Sequence, residues 1–154
     1  MTPAVTTLAD DVVDFLERDG WSPTVEDGYI TCGFQGDNGE WQCYVTVFED
    51  EERIVFYSVY PEHVSDRSRR DVAELFIRIN FNLLVGSFDL DLDDGEARFR
   101  TSLDIEGGEL TDGLLRQVAY ANVTTMDHYL PAVRGVDATT VTPAEALDLV
   151  ESAS

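Results

Sequence analysis

Apolar residues recur at helical spacing in several stretches of the sequence. Thr2 and Pro3 suit the N-cap and first turn of a helix that Gly20 would end. The motif Thr-Pro-Ala-Glu at residues 142–145 has the form of a capping box, which begins a helix. Two longer stretches between these points keep the same period of three to four residues. We therefore predict helices over residues 2–20, 67–85, 111–133 and 142–151.

The segments between these helices alternate apolar and polar residues, which is the period of a β-strand. Turn-forming residues separate the segments: Asn38 with Gly39, the acidic run at residues 49–52, and Asp94 with Gly95. We predict strands over residues 24–34, 40–48 and 53–60, followed by a hairpin over residues 87–104.

The resulting order of elements is α-β-β-β-α-β-β-α. This order predicts an α+β fold in which an antiparallel sheet packs against helices. A chain of 154 residues is long enough to bury a substantial core and fits one domain. We therefore expect a single domain over residues 1–154, with its core in about residues 5–135.

Cys32 and Cys43 are the only cysteines, and they lie on either side of a predicted turn. If Asp37 and Asn38 form the loop, Cys32 lies opposite Cys43. If Asn38 and Gly39 form it, the register shifts by two residues and the same side chains stay on one face. Because that face is apolar throughout, we predict two free thiols packed in the core. The alternative is a cross-strand disulfide, which would need an oxidising compartment.

The helix predicted over residues 67–85 has two adjacent apolar faces and therefore needs two surfaces to bury them. One face can pack on the sheet of the same chain. The other must meet a second helix or a second copy of the protein. We expect a homodimer, and we assign its interface to Phe76, Ile77, Phe81 and Leu84.

Large aromatic side chains are concentrated in the first three strands, on both faces of the predicted sheet. Tyr29, Tyr44 and Phe48 fall on the face opposite the cysteines. Either the helices of the chain cover both faces, or one face is a groove for a partner peptide or subunit. We take these three residues as candidates for a partner-binding groove.

The charge of the chain narrows the choice of partners. The formal net charge is −21, and all ten cationic side chains are arginines. So acidic a surface repels nucleic acid and anionic membranes, and we expect neither as a partner. The acids are spread along the sequence, as suits a salt-rich cytoplasm, which favours a halophilic source. Because no apolar stretch could span a membrane and no signal peptide is evident, we expect a cytoplasmic protein.

Few residues suggest catalysis or metal binding. Residues 89–96 superficially resemble a calcium loop, but Gly95 is at the seventh position rather than the sixth, which favours a hairpin. His63 and His128 are far apart in sequence, and neither has a second ligand at metal spacing. We predict no catalytic residue, no metal site and no cofactor. The alternative function is a metal-dependent sensor or enzyme that uses the hairpin carboxylates.

One long stretch resembles a known family. It is RRDVAELFIRINFNLLVGSFDLDLDDGEARFRTSLD, residues 69–104, which resembles the YbjN-like family, described as bacterial sensory-transduction regulators. The marks are an arginine-opened helix, Asn80, Asn82, Gly86, Phe88, an Asp-Gly turn and Arg98-Phe99-Arg100. The later YANVTTMDHYLPAV looks like the third helix of that family.

The resemblance extends over about residues 5–135 and implies a fold and a mode of action. The fold it implies is that of type III secretion chaperones, which are small acidic proteins, commonly homodimers, that bind extended segments of other proteins. It therefore implies a non-enzymatic regulatory or chaperone-like domain. The implied partners are a second copy of the chain and an unidentified protein or peptide.

Overall fold

The computed structural model describes residues 6–152, which form an α+β fold with one antiparallel six-stranded sheet. The strand order is β1-β2-β3-β4-β6-β5. The elements are α1 (Leu8–Arg18), β1 (Thr24–Glu26), β2 (Tyr29–Gln35), β3 (Glu40–Phe48), β4 (Arg53–Val59), α2 (Arg69–Asn82), β5 (Ser87–Leu90), β6 (Ala97–Asp104), α3 (Asp112–Asp137) and α4 (Pro143–Ser152). The predicted fold class is confirmed, with one additional strand.

The additional strand arises at a two-residue turn that the prediction missed. Asp27 and Gly28 both have positive φ, 49° and 82°, which is the conformation of a tight hairpin turn. The segment predicted as one strand over residues 24–34 is therefore two strands, β1 and β2, paired antiparallel.

The first helix begins later than predicted. Thr7 is its N-cap and forms a capping box with Asp10. The carboxylate of Glu49 accepts hydrogen bonds from the backbone N–H groups of Leu8 and Ala9, both at 3.0 Å. Glu49, in the acidic turn after β3, thus caps the N-terminus of α1 and interacts favourably with the positive end of its dipole. The predicted N-cap at Thr2 and the adjoining Pro3 lie outside the described residues.

The helices form a layer against one face of the sheet, which we call the inner face. α3 packs across β4 and β6, α2 packs on β5, α1 contacts α3, and α4 lies against α2 and α3. Cys32 pairs directly with Cys43 on this face, which is the first of the two registers considered. Both cysteines are buried and free, as predicted. A shared hydrogen bond with Cys32, together with burial, raises the pKa of the Cys43 thiol, which therefore stays protonated.

A polar side chain at the centre of this interface ties α3 to the sheet. Asn122 is fully buried, and its Nδ2 donates to the carbonyl oxygens of Phe56 at 2.8 Å and Phe99 at 3.0 Å. It also lies 3.2 Å from Thr101 Oγ1, whose hydroxyl donates to the carbonyl of Val118. Because β4 and β6 each supply one of these carbonyls, the amide fixes the helix over the junction of the two strands.

α3 continues to Asp137, beyond the predicted end at residue 133, although Pro131 lies inside it. Proline has no N–H to offer the carbonyl four residues earlier, that of Asp127. Nδ2 of Asn38, in the β2–β3 loop, donates to that carbonyl at 3.0 Å. The Asp127 carboxylate in turn accepts the backbone N–H groups of Asp37 and Asn38. The Asn-Gly loop therefore supplies the hydrogen bond that the proline removes.

α2 ends at Asn82, three residues before the predicted end. Leu83 is already extended, with φ −74° and ψ 135°. One turn earlier, Asn80 accepts the N–H of Phe88 at 2.8 Å and donates to its carbonyl at 3.0 Å. The Asn80 side chain thereby satisfies the N–H and C=O groups of Phe88 on the edge strand β5, where an additional strand would otherwise pair.

No helix within residues 6–152 is long and apolar enough to cross a bilayer.

Candidate protein-interaction surfaces

The second face of the sheet, which we call the outer face, has no helix over it in the part of the chain described. The alternation of the strands directs to it Tyr29 and Thr31 of β2, Tyr44 and Thr46 of β3, Tyr57 and Val59 of β4, and Arg98 and Arg100 of β6. The three aromatic candidates lie on this face. Tyr29 is 50% exposed, Tyr44 36% and Phe48 43%.

Two adjoining cavities of about 560 and 240 Å³ form a groove that passes Tyr44, and both are lined by Tyr44 and Val59. The smaller cavity lies on the outer face, whereas the larger one also reaches Phe34, Trp41 and Tyr60. The larger cavity reaches Gly33, which has no side chain to fill the space beside Gln42. Tyr44 and Tyr57 pair directly across β3 and β4 and together line the smaller cavity. We call this feature the Tyr44 groove.

The smaller cavity combines aromatic rings with charged groups. Tyr29, Tyr44 and Tyr57 line it together with Glu96 and Arg98. The Arg98 guanidinium lies 4.4 Å from the centre of the Tyr57 ring, at the distance of a cation–π contact. Tyr57 and Arg98 are not among the site residues predicted from the sequence. The strand period, which places both on the same face as Tyr44, was the signal that could have found them.

Two ion pairs hold the arginines beside the groove in place. Asp89 Oδ2 lies 3.4 Å from Nε of Arg98 and 3.1 Å from Nε of Arg100. These are the contacts between hairpin arginines and aspartates that the cross-strand pattern indicates. All three side chains are partly exposed, so the pairs position the groups more than they stabilise the fold.

A second exposed apolar surface lies on α2 and the segment that follows it. Ile77 is 71% exposed, Phe81 87% and Leu84 99%, and we call these three residues the α2 stripe. Phe76, the fourth residue assigned to the dimer interface, is only 3% exposed. Its ring stacks on Phe88 with 4.7 Å between ring centres. The Phe76 side chain is therefore part of the core, and the α2 stripe comprises the other three residues predicted for the dimer interface.

The carboxylates of the β5–β6 hairpin make hydrogen bonds to nearby backbone groups and are not gathered into one metal-binding or catalytic site. Asp91 and Asp94 each accept a backbone N–H two residues later, from Asp93 and Glu96. Arg69 donates to the carbonyls of Leu92 and Asp93, so a cation of the chain already lies against this loop. Within residues 6–152, no group of three or more His, Cys, Asp or Glu side chains is placed to hold a metal ion.

The two histidines lie on different parts of the molecule. His63 Nδ1 is 2.9 Å from the carbonyl oxygen of Asp94, so this ring packs against the β5–β6 loop. The ring of His128 makes an edge contact with Tyr129 on α3. The structure therefore does not bring the histidines together.

The antiparallel sheet packed against helices is the α+β fold that the resemblance implied, that of type III secretion chaperones. The chain belongs to the YbjN family, described as "Putative bacterial sensory transduction regulator", whose profile matches residues 8–135.

The similar solved structures share little sequence with this chain. YbjN from E. coli is 14% identical, with a TM-score of 0.61 over 79% of this chain and 90% of its own. A chain of the ExsC–ExsE complex is 11% identical, with a TM-score of 0.56 over 80% and 94%. A chain of the HopA1–SchA chaperone–effector complex is 19% identical, with a TM-score of 0.49 over 80% and 88%. No curated protein sequence matches the chain.

Proposed function

We propose that this protein is a non-enzymatic regulator or chaperone that binds an extended segment of another protein in the Tyr44 groove. The observation that carries the proposal is the open outer face, where aromatic side chains line a groove instead of packing under a helix. Exposed aromatic rings are the residues that most often anchor protein interfaces. ExsC, which shares the fold, forms a complex with ExsE, so the architecture is compatible with a protein partner.

The groove suits a polypeptide better than a small substrate. Its two adjoining cavities are lined mainly by residues of β2, β3 and β4. A segment in extended conformation could place every second side chain against this surface. The two buried free thiols fit a reducing compartment, and we place the protein in the cytoplasm.

Substituting Tyr44→Asp should abolish capture of the partner. The substitution removes the ring shared by the two cavities and adds a charge where apolar contact is needed. Tagged wild-type and variant proteins would be used to capture partners from native lysate, followed by mass spectrometry. Hydrogen exchange of the wild-type complex should show protection in β2, β3 and β4.

Leu149→Asp is the matched control. Leu149 is 63% exposed on α4, in the helical layer, so the control adds the same charge at an exposed apolar position away from the groove. It should capture the partner as the wild type does. If Tyr44→Asp retains the partner, or if protection falls on the helices alone, the groove is not the binding site.

We also propose that the protein forms a homodimer through the α2 stripe. Three large apolar side chains that are each more than two-thirds exposed, within eight residues of sequence, are unusual on a monomer. They continue into the exposed Val85 and an apolar cavity of about 960 Å³ between α3 and β6. A second copy would remove this surface from water.

The double substitution Ile77→Asp/Phe81→Asp should convert the dimer into a monomer. Four carboxylates at the interface of two copies would repel one another and would lose hydration. Size-exclusion chromatography with light scattering should give twice the mass of one chain for the wild type and for Leu149→Asp, and a single mass for the double variant. A wild type that is monomeric at tens of micromolar would contradict the proposal.

A further inference from the structure

Two carboxylates on the Tyr44 groove have no partner among residues 6–152. Glu40 lines the larger cavity and Glu96 the smaller one. Neither carboxylate accepts a hydrogen bond or forms an ion pair within that part of the chain, although the Glu96 backbone N–H is bonded to Asp94. Glu96 is also partly buried at the edge of the cavity, where its carboxylate could pair with a bound cation.

The rings around Glu96 are suited to the same kind of group. Tyr29, Tyr44 and Tyr57 line the cavity, and a guanidinium or ammonium group is attracted to the faces of such rings. One such cation–π contact is already present within the chain, between the Arg98 guanidinium and the Tyr57 ring. The rings of Tyr29 and Tyr44 remain exposed.

The positive charge of Arg98 does not turn the cavity into an anion site. Asp89 forms ion pairs with both Arg98 and Arg100, which lowers the positive field that they direct into the groove. The Glu96 carboxylate forms no ion pair with Arg98, although both line the smaller cavity. Beyond the groove, the formal net charge of −21 attracts cationic segments and repels acidic ones during encounter.

We infer that the Tyr44 groove selects a basic partner, binding an arginine or lysine side chain between Tyr29, Tyr44 and Glu96. This inference rests on the proposed function, because it specifies the chemistry of the segment that the groove takes. The aliphatic stem of the bound side chain would lie over the rings, and its charged end would reach the Glu96 carboxylate.

The test uses three synthetic peptides of the same length and strand propensity. The probe is acetyl-Val-Arg-Val-Arg-Val-amide, the neutral isostere carries citrulline in place of both arginines, and the acidic peptide carries glutamate. Each is titrated into ¹⁵N-labelled full-length protein and followed by NMR. The arginine peptide should shift the resonances of Tyr29, Tyr44 and Glu96 and bind about tenfold more tightly than the citrulline peptide.

Two charge-matched variants locate the effect. Glu96→Gln should weaken binding of the arginine peptide by roughly fivefold, because it removes one carboxylate from the cavity. Glu109→Gln removes one carboxylate from an exposed site outside the groove lining and should leave the affinity unchanged. Equal losses in the two variants would mean general attraction to an acidic surface and would overturn the inference.

Other outcomes separate this inference from the proposed function. If the citrulline peptide binds in the groove as tightly as the arginine peptide, the groove binds peptides without selecting basic ones, and only this inference fails. The same holds if the glutamate peptide binds best. If the arginine peptide does not bind at the groove, the inference is overturned, whereas the capture experiment with Tyr44→Asp still decides the proposed function.

Discussion

Substituting Gly95→Ala is expected to lower the free energy of unfolding by at least about 3 kcal/mol. Gly95 lies in the β5–β6 loop with φ +84°, where an L-residue is strained. Its carbonyl accepts the N–H of Val64 at 2.8 Å, so the two backbones are in direct contact. A Cβ atom at residue 95 would collide with the Val64 carbonyl oxygen and lie only 3.0 Å from its nitrogen. Urea or guanidinium denaturation measures the change.

Gly107→Ala separates the collision from the backbone strain. Gly107 has a similar φ of +74°, but a Cβ atom there would have no neighbour within 4 Å. The cost at this position should be only about 1–2 kcal/mol, that of a left-handed alanine. Equal losses at the two glycines would mean that the loop does not dock on Val64 in solution.

Substituting Asn122→Asp should destabilise the protein at pH 7 by about 3–5 kcal/mol. The Nδ2 group that donates to the Phe56 and Phe99 carbonyls would become a carboxylate oxygen facing two other oxygens. Burial would also raise the pKa of the new carboxyl group above its value in the unfolded chain. The folded state would then hold a proton that the unfolded state has lost, so the stability of the variant should rise, relative to wild type, as the pH falls from 7 to 5.

Ser22→Glu is the control for added charge. Ser22 is exposed in the loop between α1 and β1, so its substitution should change the unfolding free energy by no more than about 0.5 kcal/mol. Comparing both variants with the wild type at each pH removes the general effect of pH on so acidic a chain. A loss for Asn122→Asp that does not depend on pH would contradict the buried-carboxyl explanation.

The fold could be predicted because local patterns and global packing agree over most of the chain. The strand period and the Asn-Gly turn were enough to include the observed register of Cys32 with Cys43 among two possibilities. The Asp27–Gly28 turn also carried a clear signal, which the prediction of one strand over residues 24–34 did not use. The turn preference of these two residues decides the structure there.

The end of α2 and the state of the sheet faces could not be predicted in the same way. Leu83 and Leu84 continue the helical apolar pattern, yet the chain leaves the helix because Asn80 binds the backbone of Phe88 in the sheet. Whether a helix covers the outer face depends on where the helices pack, and the alternation of side chains does not contain that information. The same applies to Phe76, whose contact with Phe88 is made across the two layers.

The α2 stripe belongs to the helical layer and the Tyr44 groove to the sheet layer, so occupying one leaves the other accessible. Two chains joined through α2 would thus turn two grooves outward, and one long polypeptide could be held at two points. Once one groove has bound the polypeptide, binding in the second groove would be intramolecular and would depend on the length of polypeptide between the two bound segments. Such a bivalent dimer would bind its partner more tightly than one groove alone and would release it once either bound segment is displaced.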